Sequence, residues 1–163
     1  MLSDDQCAVS WRARPGSFVS LMTIYESNFI RLGWVCSDLQ ALSSSQVSHV
    51  AHDCALRLNV LERGPYTTTL SLAYLFDVDG EIVPDPDLCV RVYHDAKLVE
   101  ALGPARRPAH AQLRRMHDSA QDHYGLPGRD PRWVRNVMLN KWLEYCAEQG
   151  HRFEAIHPRA AER

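Results

Sequence analysis

A chain of 163 residues with 45% hydrophobic and 23% charged residues has ordinary globular composition, and its length suits one domain with one core better than two. A net charge of −2 and a pI near 6.4 give no broad positive field, which argues against duplex nucleic acid as the principal ligand. No run approaches the ~18 consecutive apolar residues of a membrane span, so no membrane partner is expected either.

In chain order, residues 1–16 show no hydrophobic periodicity and read as a flexible leader, with Asp4 and Asp5 where a signal peptide would carry basic residues. Ser17 is a good N-cap. Phe18, Leu21, Met22, Tyr25, Phe29 and Leu32 then recur at helical spacing, predicting an amphipathic helix over 18–33 that ends at Gly33. The serine-rich stretch 36–45 reads as a connection. Beyond it the period falls from 3.6 to 2, with a short strand over 46–50 and two longer ones over 54–62 and 66–76. Glu62-Arg63-Gly64-Pro65 is turn chemistry, so the longer two form a hairpin. The stretch 77–87, acidic and broken by prolines, reads as a solvated loop. Strands over 88–93 and 98–102 follow, joined by the turn 94–97, and such tight connections require antiparallel neighbours.

Residues 103–130 are fragmented by Pro104, Pro108, Gly125 and Pro127; a polar helix over 109–124 is the one element they could hold. The last element is better marked. Asp130 stands as N-cap, Pro131 at the first helical position, apolar residues at 134, 137, 138, 142, 145 and 146, and Gly150 just past the end of a helix over 131–149. Residues 151–163 read as a partly ordered tail. The expected fold is therefore α+β: an antiparallel meander sheet of four or five strands with the N- and C-terminal helices packed on one face, all within one domain over 17–150.

Several constellations could carry chemistry. In Arg91-Val92-Tyr93-His94-Asp95, alternation puts Arg91 and Tyr93 on one face of a strand, opposite Val90 and Val92. His94 has the chemistry of a general base and Asp95 that of its orienter, although a turn Asp also caps its own backbone and a strand-end His is often a plain surface residue. His49, His52 and Cys54 are metal-ligand types, but on a strand the two histidines face opposite sides and no partner C-x-x-C or H-x-x-x-H exists, so no metal is expected. Asp77, Asp79, Glu81, Asp85 and Asp87 mimic a calcium loop, yet Gly80 comes too early and the closing Glu is missing. Arg106, Arg107, Arg114 and Arg115 with His110, His117 and His123 form the main basic concentration, which either meets a phosphate or acidic partner or is simply a solvated face. The chain has no Gly-rich phosphate loop, no G-x-S-x-G elbow and no H-E-x-x-H pair. Its five cysteines, an odd number without a C-x-x-C, read as free thiols of a reducing compartment, the cytoplasm.

Four stretches also carry a resemblance: Tyr25-Glu26-Ser27-Asn28-Phe29; Tyr66-Thr67-Thr68; Arg91-Val92-Tyr93-His94-Asp95-Ala96; and Arg129-Asp130 through Asn136 to Trp142-Leu143-Glu144-Tyr145-Cys146 and Gly150. Over residues 18–150 the chain resembles the YqiB-like family of proteobacterial proteins, domain of unknown function 1249. That family lends no established activity. The resemblance implies that Arg91, Tyr93, His94, Asp95 and Arg129 are the candidate ligand-binding residues, while His49 and His52 fall outside the family's pattern. The function expected is a non-catalytic cytoplasmic binding or regulatory protein that recognises a small anionic ligand or an acidic partner segment, with no cofactor. The alternative is a hydrolase or transferase acting on a phosphorylated metabolite or nucleotide, with His94 as base, Asp95 as its orienter and Arg129 neutralising charge.

Overall fold

The computed structural model describes residues 18–103 and 131–155, together with positions 111, 114–116 and 118. Helix α1 (Phe18–Val35) leads into strands β1 (Ser45–Ser48), β2 (Ala55–Arg63), β3 (Thr67–Val78), β4 (Glu81–Tyr93) and β5 (Leu98–Leu102), and helix α2 (Pro131–Gln149) follows. The strands form one sheet in the order β1-β2-β3-β4-β5, every neighbouring pair antiparallel. Both helices cover the same face, which carries Leu56 and Leu58 of β2, Leu70, Leu72 and Tyr74 of β3, and Val90 and Val92 of β4. The fold is the α+β meander that the sequence predicts, with five strands.

Two local expectations change. The 77–87 stretch is not a loop: β3 and β4 continue through it and turn at Asp79-Gly80, whose φ values of 54° and 86° are the left-handed pair that a two-residue hairpin of type I′ requires. Acidity and prolines hid this hairpin. Pro84 and Pro86 are tolerated because β5 pairs with β4 only from Cys89 to Tyr93, so both prolines lie where β4 has a strand on one side only, and a bulge opposite Tyr74 absorbs the irregularity. Helix α1 also runs two residues past Gly33 and is rotated from its expected orientation. Its buried stripe is Ser20, Ile24, Tyr25, Asn28, Leu32 and Val35, while Phe18, expected to face the core, is 75% exposed. Counting apolar residues missed that two buried positions are polar. Of the helix expected over 109–124, the described positions are helical and Met116 packs against the core; the remainder lies outside the described residues, as do Asp130 and Arg129.

The buried Asn28 in that stripe has a physical reason. β5 is the last strand of the sheet, and the backbone groups on its outer side find no sixth strand among the described elements. Side chains take that place. Asn136 Oδ1 accepts from Ala101 N at 2.8 Å, Asn28 Nδ2 donates to Val99 O at 3.4 Å, and Arg135 Nε donates to Ala101 O at 2.9 Å. The amides are themselves tied together: Asn28 Nδ2 donates to Asn136 Oδ1, Asn140 Nδ2 donates to Asn28 Oδ1 and to Ser27 Oγ, and Asn136 Nδ2 donates to Arg132 O. Asn28, Asn136 and Asn140 are at most 2% exposed, so each bond replaces water that the site excludes.

Asn136→Ala therefore strands a buried backbone N–H and a buried amide, and the expected loss is roughly 2–5 kcal/mol from unsatisfied groups alone. Trp142→Ala empties a core position that is 1% exposed and should cost about 3–5 kcal/mol. Chemical denaturation of both variants measures these losses; an Asn136→Ala variant as stable as the parent would show that the network is dispensable.

Candidate functional site

Arg91 and Tyr93 sit where alternation puts them, on the sheet face away from the helices. Arg91 Nε donates to Thr69 Oγ1 at 3.2 Å, and Tyr93 OH donates to Glu100 Oε2 at 3.1 Å. Glu100 also accepts from Tyr25 OH at 3.2 Å, so it links the sheet to α1 across the β5 edge. The Tyr25 hydroxyl is pushed up to about 12, first by burial and then by the Glu100 carboxylate. Asp95 is exposed, and its Oδ1 accepts from Ala96 N at 2.9 Å, which is the turn-capping role.

His94 takes a different position. Its backbone N–H donates to Tyr66 O at 2.9 Å, extending the β3–β4 ladder by one residue and turning the side chain to the helix-bearing side. There its Nε2 lies 2.8 Å from Oγ1 of Thr68, a residue only 3% exposed and paired with buried Val92. The sheet thus separates His94 from Arg91 and Tyr93, and Arg129 lies outside the described residues. Burial lowers the pKa of His94, and the nearby Arg63 lowers it further against the opposing pull of Asp38 and Asp95, which favours the neutral ring.

Two adjoining clefts meet at His94. One, of about 330 Å³, runs between the end of α1 and the connection to β1 and is lined by Phe29, Gly33, Cys36, Asp38 and Leu39 among others. The second, of about 130 Å³, lies against the β2–β3 turn and is lined by Arg63, Gly64, Pro65 and Thr68. Gln40 and His94 line both. Arg63 is held in place from behind: Nη1 donates to Gln40 O at 3.1 Å and Nη2 donates to Leu42 O. Sequence reasoning read Arg63 only as a turn residue and gave Thr68 and Gln40 no role. Nothing local marks them, because β2, β3 and the α1–β1 connection meet only in the folded chain.

A family model for proteins of unknown function, DUF1249, matches residues 31–152. The chain belongs to the DUF1249 family. No curated protein and no solved structure matches it. The matched span contains Gln40, Arg63, Thr68 and His94, and it also contains a second cluster that the sequence did not announce.

In this DUF1249 chain, Asp53 Oδ2 lies 3.0 Å from His151 Nε2 and accepts from Tyr74 OH at 2.6 Å, while His151 Nδ1 lies 3.0 Å from Ser48 Oγ. The order Ser, His, Asp invites comparison with a hydrolytic triad. Burial decides against that: the His151 and Asp53 side chains are 0% and 2% exposed, and Ser48 is 8% exposed, so no substrate reaches the hydroxyl. The cluster instead fastens residues 151–155, the start of the stretch read from sequence as a partly ordered tail, to β1 and to the connection before β2. Phe153 N donates to Val35 O at 2.7 Å, and Gln46 exchanges both amide bonds with the backbone of Glu154. His49 and His52 are exposed in that connection, and among the described residues no group of three His, Cys, Asp or Glu side chains could hold a metal ion.

Burial works to raise the Asp53 pKa, but hydrogen bonds from His151, Tyr74 and the backbone of Cys54 outweigh it and hold the carboxyl below its ordinary 3.8. A carboxylate depressed in this way contributes stability above its unfolded pKa and loses that contribution as pH falls through the folded value. Asp53→Asn should therefore melt well below the parent at pH 7, and the gap should narrow below about pH 4 as the parent's own carboxyl protonates. Thermal melts across pH 7 to 2.5 check this; a gap that stays constant with pH would assign the loss to shape rather than charge.

Proposed function

We propose that this chain is a cytoplasmic, non-catalytic binding protein that receives a small anionic ligand, or the acidic segment of a protein partner, in the cleft at His94. One observation carries the reading. Of the candidate binding residues Arg91, Tyr93, His94 and Asp95, His94 lines both of the adjoining clefts, and it does so beside an arginine whose direction is fixed by two backbone carbonyls. A guanidinium has five N–H donors in a rigid fork, so the two carbonyl bonds orient Arg63 and leave donors over for an anion. Pre-orientation lowers the ordering cost of binding. Cys36, Cys54, Cys89 and Cys146 are free thiols, which suits a reducing compartment. No helix among the described residues is long and apolar enough to cross a membrane.

The geometry favours binding over hydrolysis or group transfer. Asp95 spends its carboxylate on its own turn, and the hydroxyl beside His94 belongs to buried Thr68, so among the described residues the imidazole bonds neither an orienting carboxylate nor an accessible nucleophile.

The test is thermal-shift titration with inorganic phosphate and with a hexaglutamate peptide at constant ionic strength. At least one should raise the melting temperature of the parent and of Arg91→Gln, on the opposite sheet face, yet leave Arg63→Gln unmoved, because a ligand stabilises only a folded state that binds it. A response retained in Arg63→Gln and lost in Arg91→Gln would move the site to the other face and overturn the reading.

A further inference from the structure

The two clefts at His94 differ in character, and the difference describes a ligand. On the β2–β3 side the lining is polar and includes Arg63, Gln40 and His94: the guanidinium and the Gln40 amide are donor-bearing groups, and with Thr68 Oγ1 donating to Nε2 the neutral His94 ring carries its N–H on Nδ1 as a third donor. A carboxylate has two oxygens for three such donors. A phosphate monoester has three terminal oxygens and a charge suited to the guanidinium. On the α1 side the lining includes Phe29, Leu39, Cys36 and the bare backbone of Gly33, together with Ser37 and Asp38. Gly33 lies inside a helix where any residue except proline would be a better helix former, and a Cβ built on it would meet nothing within 4 Å. The missing side chain leaves open space over that turn of α1, where a flat apolar group can lie against the backbone and the Phe29 ring. The Cys36 thiol in this wall is pushed up to about 12 by burial and stays uncharged.

We infer that the ligand is a phosphate monoester carried on a flat apolar body, the phosphate against Arg63, Gln40 and His94 and the body against Phe29, Gly33 and Leu39. This rests on the reading that the His94 cleft is the binding site. His94 and Gln40 stand at the junction and contact both parts. Gly33 is then the residue that keeps the body's compartment open.

Isothermal titration of the full chain with phenyl phosphate and with inorganic phosphate separates the two parts. Phenyl phosphate should bind at least about tenfold more tightly than inorganic phosphate, the ring's burial supplying the difference. Gly33→Leu should keep or raise the melting temperature, leave inorganic phosphate binding unchanged and bring phenyl phosphate down to the same affinity. Arg63→Gln should abolish both. Equal affinity of the parent for the two phosphates, or phenyl phosphate binding indifferent to Gly33→Leu, overturns the two-part ligand while the anion site stands. Arg63-dependent binding of hexaglutamate with no binding of either phosphate likewise overturns the ligand class alone, whereas no Arg63-dependent binding of any of the three overturns both this inference and the reading beneath it.

Discussion

The outer edge of β5 presents backbone N–H and C=O groups that a sheet normally satisfies with another strand, and this chain satisfies them with asparagine side chains from two helices. Each amide has a donor and an acceptor side, so it can bond a strand edge as a further peptide group would. Because Asn28 sits on α1 and Asn136 on α2, closing the edge also fixes both helices against β5 and against each other. An unpaired edge invites association with other chains, and an unpaired buried amide costs far more than the pairing contributes. The arrangement therefore holds as a unit. Removing one member leaves its partners buried and unsatisfied, which makes the helix positions a matter of polar geometry as much as apolar packing.

The opposite edge is flanked by the chain that leaves α2, held there by different residues. Beside β1, Gln46 bonds the backbone of Glu154 in both directions, and Leu42 bridges Ala155. The segment that does this is pinned by His151, buried between Asp53 and Ser48. A histidine with both ring nitrogens bonded has a defined orientation, so the chain leaving α2 is aimed along the sheet. Gly150, with φ of 94°, permits the reversal that a side chain would oppose. The triad-like order of these residues is a consequence of satisfying buried polar groups, and burial withholds it from chemistry.

The cleft at His94 lies where the two helices no longer cover the sheet. Helix α1 ends at Val35, the connection to β1 crosses back, and the β2–β3 turn projects beneath it. Arg63 ties the turn to the connection through the carbonyls of Gln40 and Leu42, and the same bonds fix the direction of its charge. Structural and binding roles of Arg63 are thus two uses of one guanidinium. Neutral His94 beside it adds a polar group without adding a second fixed charge to repel or to desolvate.

What the sequence determined by itself was whatever depends on near neighbours. Period-2 alternation, the turn at Glu62-Arg63-Gly64-Pro65 and the cap signals around Pro131 located the strands and the last helix, because hydrophobic spacing and backbone preference act over a few residues. The placing of Arg91 and Tyr93 on one face followed from the same alternation. The Asp79-Gly80 hairpin was legible in principle, but prolines acceptable only beside an unpaired edge masked it, and which strand lies at an edge is a tertiary property. Tertiary structure alone decided the rotation of α1, set by Asn28 reaching for β5 more than seventy positions away in sequence. It alone brought Thr68 and Arg63 to His94, and buried His151 against Asp53 ninety-eight positions earlier. Hydrogen bonds of that separation leave no periodic trace in the chain, since the partners answer to a shared space that exists only once the sheet has formed.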